Sequence, residues 1–432
     1  MQKKTNQITT VSMIQYGFLA LPIAFAGFPI YIHGPDFYAS EFGASLTSLA
    51  AILLGLRLID AIQDPIIGAL SDRFKNYRTT LIIVGALCLA LGFYLLFKPQ
   101  TNINILLWFS GAVFLVTTAY SLLVINITAI GGIWSQDKHQ RTKIAMTRET
   151  FGLIGLLLAV CLPSLLSTKM SPQISFQWMS LILSALLIVG LFIFLNWYSK
   201  NRHTIEQNIE SKSNFKIYEQ LKSLSPKTKF FLTVYGLSML ASSIPAILII
   251  FYVRDFLNQP GFIGLFLILY FLTAALGMSV WSSLSQKTDN KEQTWMFAMC
   301  LAVVSFIWVL FLNPGDLYAY GMICVISGFA FGAELTLPPS ILADHIADEK
   351  REEQSAFLFS QLTLLAKLSL ALSTATIFPL LEYSGFEPST KNDAESLFFL
   401  VICYGGIPCL IKLIAIALLY NHPQSQRIKE RH

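Results

Sequence analysis

Twelve long, mostly apolar stretches separated by short polar breaks run through this 432-residue chain. About 20 apolar residues in a helix cross a hydrocarbon core of about 30 Å. The stretches fall at roughly 12–33, 45–70, 80–98, 102–134, 148–168 and 176–199, then at 230–253, 260–285, 293–313, 317–345, 354–383 and 394–421. Backbone groups in a bilayer must be satisfied within their own segment, so each stretch predicts a helix. The expected fold is an all-α membrane protein of twelve transmembrane helices. Charge content supports it: only 13% of residues are charged, about half the usual share for a soluble protein. The same deficit excludes disorder, which needs high charge and low hydrophobicity.

Basic residues predict the orientation. Twenty-two of the thirty Lys and Arg side chains fall in segments that share one side if the N-terminus is cytoplasmic. Three (Lys98, Lys169, Lys391) fall on the other side, and five (Arg57, Arg148, Arg254, Lys367, Lys412) lie in or at the edge of spans. Positive charge stays inside, so both termini are expected in the cytoplasm, which requires an even number of spans. The longest polar segment, 200–228, divides the chain into an N-terminal six-helix bundle over 1–199 and a C-terminal one over 229–432. The N-terminus lacks a removable signal pattern, so the first span is expected to stay. The six cysteines sit in apolar runs without a CxxC pair and read as small hydrophobes. Trp108, Trp134, Trp178, Trp197, Trp295 and Trp308 mostly lie near span ends and suit an interfacial belt. No dense basic tract points to nucleic acid. No nucleotide loop, zinc spacing or triad-like nucleophile appears, so no catalytic residue, enzyme activity or cofactor is expected.

The second span carries its own chemistry. Asp60 and Asp64 are one helical turn apart on one face, with Arg57 a turn before Asp60. Measured from Asp72 at the cytoplasmic edge, Asp64 lies about 12 Å deep and Asp60 about 18 Å deep, straddling the midplane. A charge there costs at least about 2.5–3.5 kcal/mol, and helix packing does not require it. A coupling cation would compensate it: carboxylate oxygens suit a hard ion such as Na⁺, or carry H⁺ when desolvated. A closed ion network with Arg57 is the structural alternative. Directly after this face, Gly68-x-x-x-Asp72-Arg73-Phe-x-x-x-Arg78 matches a loop signature of the major facilitator superfamily, in which the helix-end acid latches onto basic groups of a neighbouring cytoplasmic helix. The corresponding loop of the second half, Trp281 to Lys291, is degraded.

Six spans, a central linker and six more spans, together with that signature, resemble the major facilitator superfamily, whose transport site lies near the midplane of the membrane. Within it the chain resembles the glycoside-pentoside-hexuronide:cation symporters, typified by melibiose permease. The resemblance rests on Tyr16-Gly17-Phe18, the Asp60…Asp64-Pro65…Gly68 run, Asp137…Arg141…Arg148, the segment Leu337-Pro338-Pro339-Ser340 to Asp344, and Lys367 after Arg351-Glu352. It implies that Asp60 and Asp64 bind the coupling Na⁺, Li⁺ or H⁺, with Asp60 and Asp64 the metal ligands if sodium is used. It also implies that Lys367 serves the same polar site, and that Arg148 matches the family's basic residue early in span five. The sugar contacts of melibiose permease, an acid in span one and an acid and a tryptophan in span four, correspond here to Ala24, Val124 and Thr128. The ion half of the site is thus retained and the sugar half rebuilt, leaving Asn126, Thr128 and Tyr120 as polar groups at that level.

Depth adds two candidates. Lys367 lies about 20 Å, and Glu334 about 15 Å, from the cytoplasmic face along their helices. They are therefore expected to pair. The expected function is cation-coupled symport of a small organic solute by alternating access, in a bacterial inner membrane, by a monomer whose partners are the solute, the ion and the bilayer. The competing reading keeps the fold and changes the cargo to an amphipathic or lipid-like molecule.

Overall fold

The computed structural model describes residues 8–31, 33–100, 102–167, 170–207, 217–388 and 392–421. Part of the expected linker (208–216, with Lys212 and Lys216) lies outside the described residues, as do both chain ends with Lys3, Lys4, Arg427, Lys429 and Arg431, and also Lys169 and Lys391. Among the described residues there is no strand. The helices are α1 (Thr10–Gly17), α2 (Ala20–Tyr31), α3 (His33–Phe42), α4 (Leu46–Arg73), α5 (Arg78–Phe97), α6 (Ile105–Trp134), α7 (Lys138–Ser167), α8 (Pro172–Gln207) and α9 (Ile217–Lys222). They continue as α10 (Pro226–Phe251), α11 (Ile263–Thr288), α12 (Lys291–Phe306), α13 (Leu317–Asp348), α14 (Ser355–Tyr383), α15 (Ala394–Val401) and α16 (Ile407–Asn421). Eleven described stretches are long and apolar enough to cross a membrane. The remaining expected span corresponds to α4, which has 28 residues but places Arg57, Asp60 and Asp64 inside its apolar stretch.

The chain folds as two compact units, and their division departs from a simple cut at the linker. The first is Met1–Lys222 with Leu342–Thr363; the second is Ser223–Ile341 with Leu364–His432. The end of α13 and the start of α14 thus belong with the N-terminal helices.

Helix starts coincide with the polar breaks of the sequence because capping side chains sit there. Ser45 accepts from the Ser48 amide, Asn104 from those of Leu106 and Leu107, Ser225 from Thr228, and Asn290 from Gln293. Each satisfies a donor that the first turn leaves without an intrahelical partner. α11 stops at Asp289, which takes a left-handed φ of 50°.

In the first unit, α1 and α2 approach α7 at small residues. A methyl at Gly155 would run into the Leu21 carbonyl, one at Gly17 into Thr147, and one at Gly152 would lie 3.9 Å from the Ala24 Cβ. Tyr16 is wholly buried, donates to the Ile127 carbonyl at 2.9 Å, and packs against Trp134 and Trp197. The tryptophan belt is therefore only partial: Trp178 and Trp308 are exposed, whereas Trp134, Trp197 and Trp295 are core. Their rings fill helix junctions, where burying a large aromatic surface outweighs an interfacial position.

The second unit has a tyrosine-rich core. Tyr252 stacks on Tyr404 at 4.2 Å, the Tyr320 and Tyr404 hydroxyls meet at 2.6 Å, and Tyr252 donates to the Val309 carbonyl at 3.0 Å. Tyr252–Phe256 is a single π-turn that ends α10, and Ile402–Gly406 one that joins α15 to α16.

Candidate functional site

The acid pair forms on α4 as the sequence pattern expects. Asp60 is 4% exposed and Asp64 wholly buried, deep in a helix that continues through Pro65 to Arg73. Asp60 Oδ1 accepts from Gln63 Nε2 at 2.8 Å and from Ser121 Oγ on α6 at 3.1 Å. Gln63 Oε1 in turn accepts from Thr118 Oγ1 at 3.1 Å. Arg57 is half-buried on the same helix. The result is a strip of hard oxygen donors, two carboxylates, one amide and two hydroxyls, shared by α4 and α6.

Tyr120, one residue from Ser121, lies within electrostatic reach of Asp60, Asp64, Arg148 and Glu149. Its ring stands against Gly27 of α2, where a methyl would come 3.5 Å from it. Arg148 on α7 is paired with Glu149 and lies within electrostatic reach of Tyr16. Ala24, expected to correspond to the span-one acid of melibiose permease, faces Gly152, so two small residues pack there. Asn126 is wholly buried with its amide engaged by the protein: it accepts from Ser71 and donates to the Leu122 carbonyl at 2.8 Å. Thr128 is 8% exposed.

Of the expected latch residues, Gly68, Asp72 and Arg78 come together, with a partner the sequence does not display. Asp72 pairs with Arg78 at 2.5 Å and accepts the backbone amides of Ala356 and Phe357 at 3.0 and 2.8 Å. Arg78 Nη2 also donates to Ser355 Oγ at 3.2 Å. Asp72 thus caps the start of α14 from another helix, where free amides and the positive end of the helix dipole favour an anion. Gly68 permits this approach, since a Cβ there would lie 2.7–2.8 Å from Ala356 O, Ser360 Oγ and Phe357 Cα. Arg73 points to the exposed side, its guanidinium over the Phe74 ring. A second lock lies beside it: Arg141 pairs with Asp344 at 2.9 Å and donates to the Ser135 carbonyl at 2.8 Å.

In the second unit the expected Glu334–Lys367 pair is not formed. Glu334 of α13 pairs with Lys412 of α16, which also donates to Ser238 Oγ and Ser242 Oγ of α10, each at 2.9 Å. Ser242 donates to the other Glu334 oxygen at 3.0 Å. Lys367 is half-buried on α14. Position along a helix gives a residue's depth but not its azimuth, and azimuth decides this pairing.

Sequence reasoning also passed over Gln63, Thr118 and Ser121. Their signal was present: Gln63 follows Asp60 by three residues, and Thr118 and Ser121 are three apart in an apolar run, so each pair shares a face.

The model of MFS/sugar transport proteins matches residues 13–424, and the chain belongs to that family. The uncharacterized symporter YnaJ of Bacillus subtilis is 21% identical over 96% of this chain and 92% of its own length. The inner membrane symporter YicJ of Escherichia coli is 22% identical over 88% and 84%. The isoprimeverose transporter of Lactiplantibacillus pentosus is 22% identical over 89% and 82%. Among solved structures, a bacterial homologue of the iron transporter ferroportin in an outward-facing state superposes with a TM-score of 0.73, at 13% identity over 95% of this chain and 98% of that one. The human organic anion transporter MFSD10 does so at 0.65, with 15% identity over the same shares. These likenesses show the fold, an all-helical multi-pass transporter of the major facilitator type.

Proposed function

We propose that the protein is a cation-coupled symporter of a small, sugar- or glycoside-like solute, working by alternating access as a monomer in a bacterial inner membrane with both termini cytoplasmic. One observation carries the reading: Asp60 and Asp64 lie buried one turn apart on a membrane helix, beside the hydroxyls and amide of Ser121, Thr118 and Gln63. These donors fit a small hard cation, which prefers oxygen ligands, and they equally fit a proton held on a desolvated carboxylate. The ion gradient supplies the energy, and no further cofactor enters. Charge compensation at Asp60 and Asp64 would be felt by Arg57 on α4 and, through Tyr120, by Arg148 on α7, the residues best placed to turn toward a polar solute. Asn126, Thr128, Glu334 and Lys367 extend this group as solute or coupling residues. The symporter names of the relatives support the same reading.

A second reading, an amphipathic cargo, is favoured by the packing of Ala24 on Gly152, at the position expected to correspond to the span-one acid of melibiose permease. Uptake into proteoliposomes under imposed Na⁺, Li⁺ or pH gradients separates the two, using labelled pentosides and a lysolipid. Asp60→Asn is expected to abolish accumulation above the equilibrium level while leaving the protein folded. Uphill uptake by that variant with unchanged ion dependence would overturn the coupling role.

A further inference from the structure

Glu149 stands beside Arg148 on α7 and takes no part in the oxygen-donor strip of α4 and α6. Its pair with Arg148 uses one of its two oxygens. Arg148 Nε donates to Glu149 Oε1 at 3.1 Å, and Nη2 donates to the same atom. Among the described residues no group donates to Oε2, and the side chain is 26% exposed. A carboxylate that had only to neutralise Arg148 would be expected to set both oxygens against the guanidinium fork, the strongest geometry for such a pair.

Helix geometry says which way this carboxylate faces. Ile154 and Leu158 are exposed apolar side chains and mark the outward side of α7. Leu158 follows Glu149 by about two and a half turns, so Glu149 lies on the opposite side. Tyr120 of α6 is within electrostatic reach of Glu149 as well as of Asp60 and Asp64, which puts the carboxylate near the donor strip rather than at the lipid surface. Room is left beside it. A methyl at Gly152, one turn on, would meet only the Ala24 Cβ among the described residues, at 3.9 Å. Charge narrows what can enter. Arg57 and Arg148 are positive, and Asp60, Asp64 and Glu149 are negative, so these side chains sum to one negative charge, which one monovalent cation cancels. A neutral solute keeps that balance, whereas an anionic solute adds a charge within the membrane that costs free energy.

We infer that Glu149 is a specificity-determining residue that takes a neutral, hydroxyl-bearing solute: a solute hydroxyl donates to Oε2 while Arg148 holds Oε1. The inference rests on the symport reading and narrows its solute to uncharged glycosides, to the exclusion of uronates.

The test is isothermal titration of the full-length protein in a neutral detergent, with Na⁺ or at acidic pH. The probes are methyl β-xyloside, methyl β-glucoside and methyl β-glucuronide. A neutral glycoside is expected to bind at least about tenfold more tightly than the glucuronide. Glu149→Gln removes the negative charge and releases Arg148. It is expected to weaken the neutral glycoside about tenfold and to strengthen the glucuronide, whereas a merely structural role would weaken both alike. Should that variant not fold, Glu149→Asp, which keeps the charge balance but draws the carboxylate back, is expected to weaken the neutral glycoside about fivefold with the preference kept. Wild-type affinities in the variants, or equal weakening of both probe classes, would overturn the role of Glu149 and leave the symport reading standing. Tighter binding of the glucuronide by the wild-type protein, or binding of no probe, would overturn the neutral-solute assignment. The symport reading fails separately, if wild-type uptake does not follow an ion gradient.

Discussion

The two units carry loops of the same spacing that have been put to different uses. In the first, Gly68, Asp72 and Arg78 stand where the second has Trp281, Ser285 and Lys291. Gly68 clears a path for the start of α14, and Asp72 spans it with an ion pair and two backbone amides. In the second loop the Trp281 indole donates to the Phe329 carbonyl at 2.8 Å, filling the space that Gly68 leaves open. Ser285 turns back to the Ser282 carbonyl at 2.8 Å, and Lys291 donates to Ser340 Oγ at 2.7 Å. One loop holds its partner by charge across a glycine gap. The other is packed into its own unit by an aromatic ring. A contact of the first kind can be broken and remade as charges and water access change, while one of the second kind belongs to a fixed core.

Substitutions can break this contrast. Asp72→Ala removes the acceptor of two amides and leaves Arg78 buried beside the gap, so it should cost about 3–5 kcal/mol. Amide exchange at Ala356 and Phe357 should accelerate by at least about a hundredfold, and unchanged protection would show that the carboxylate does not hold α14. Gly68→Ala forces a methyl against α14 and should lower stability by about 1–3 kcal/mol, read as a drop in melting temperature. If it is neutral, the close approach is not required. The smallest effects belong to the second loop. Ser340→Ala removes the acceptor of the Lys291–Ser340 hydrogen bond and should cost less than Asp72→Ala, about 1–3 kcal/mol, in the same melt. A loss as large as that of Asp72→Ala would mean that the two loops are equivalent after all.

How much of this could be read in advance follows the physics of a helix. The apolar runs mark the helices because a bilayer admits little else, and the caps at Ser45, Asn104, Ser225 and Asn290 lie in the breaks between runs. The acid pair was legible because a carboxylate in an apolar run is conspicuous, and the Asp72–Arg78 ion pair because the spacing of its loop is distinctive. What escaped depends on rotation about helix axes and on backbone groups, which leave no mark in residue type. Lys412 was visible as a lone cation in α16, yet its pairing with Glu334 depends on which way both helices face. The Asp72 partners on α14 are largely N–H groups, which any sequence would supply there. The assignment of Leu342–Thr363 to the first unit follows from those same contacts and could not be seen in a linear division of the chain.

The glycine-lined contact between α2 and α7 has a mechanical consequence. Helices that approach this closely at Gly152 and Gly155 lack the cushion of long side chains that lets neighbours slide in small steps. They are expected to move as one body, which would carry a displacement of Arg148 on α7 to Gly27 on α2 and to the Tyr120 ring that stands against it.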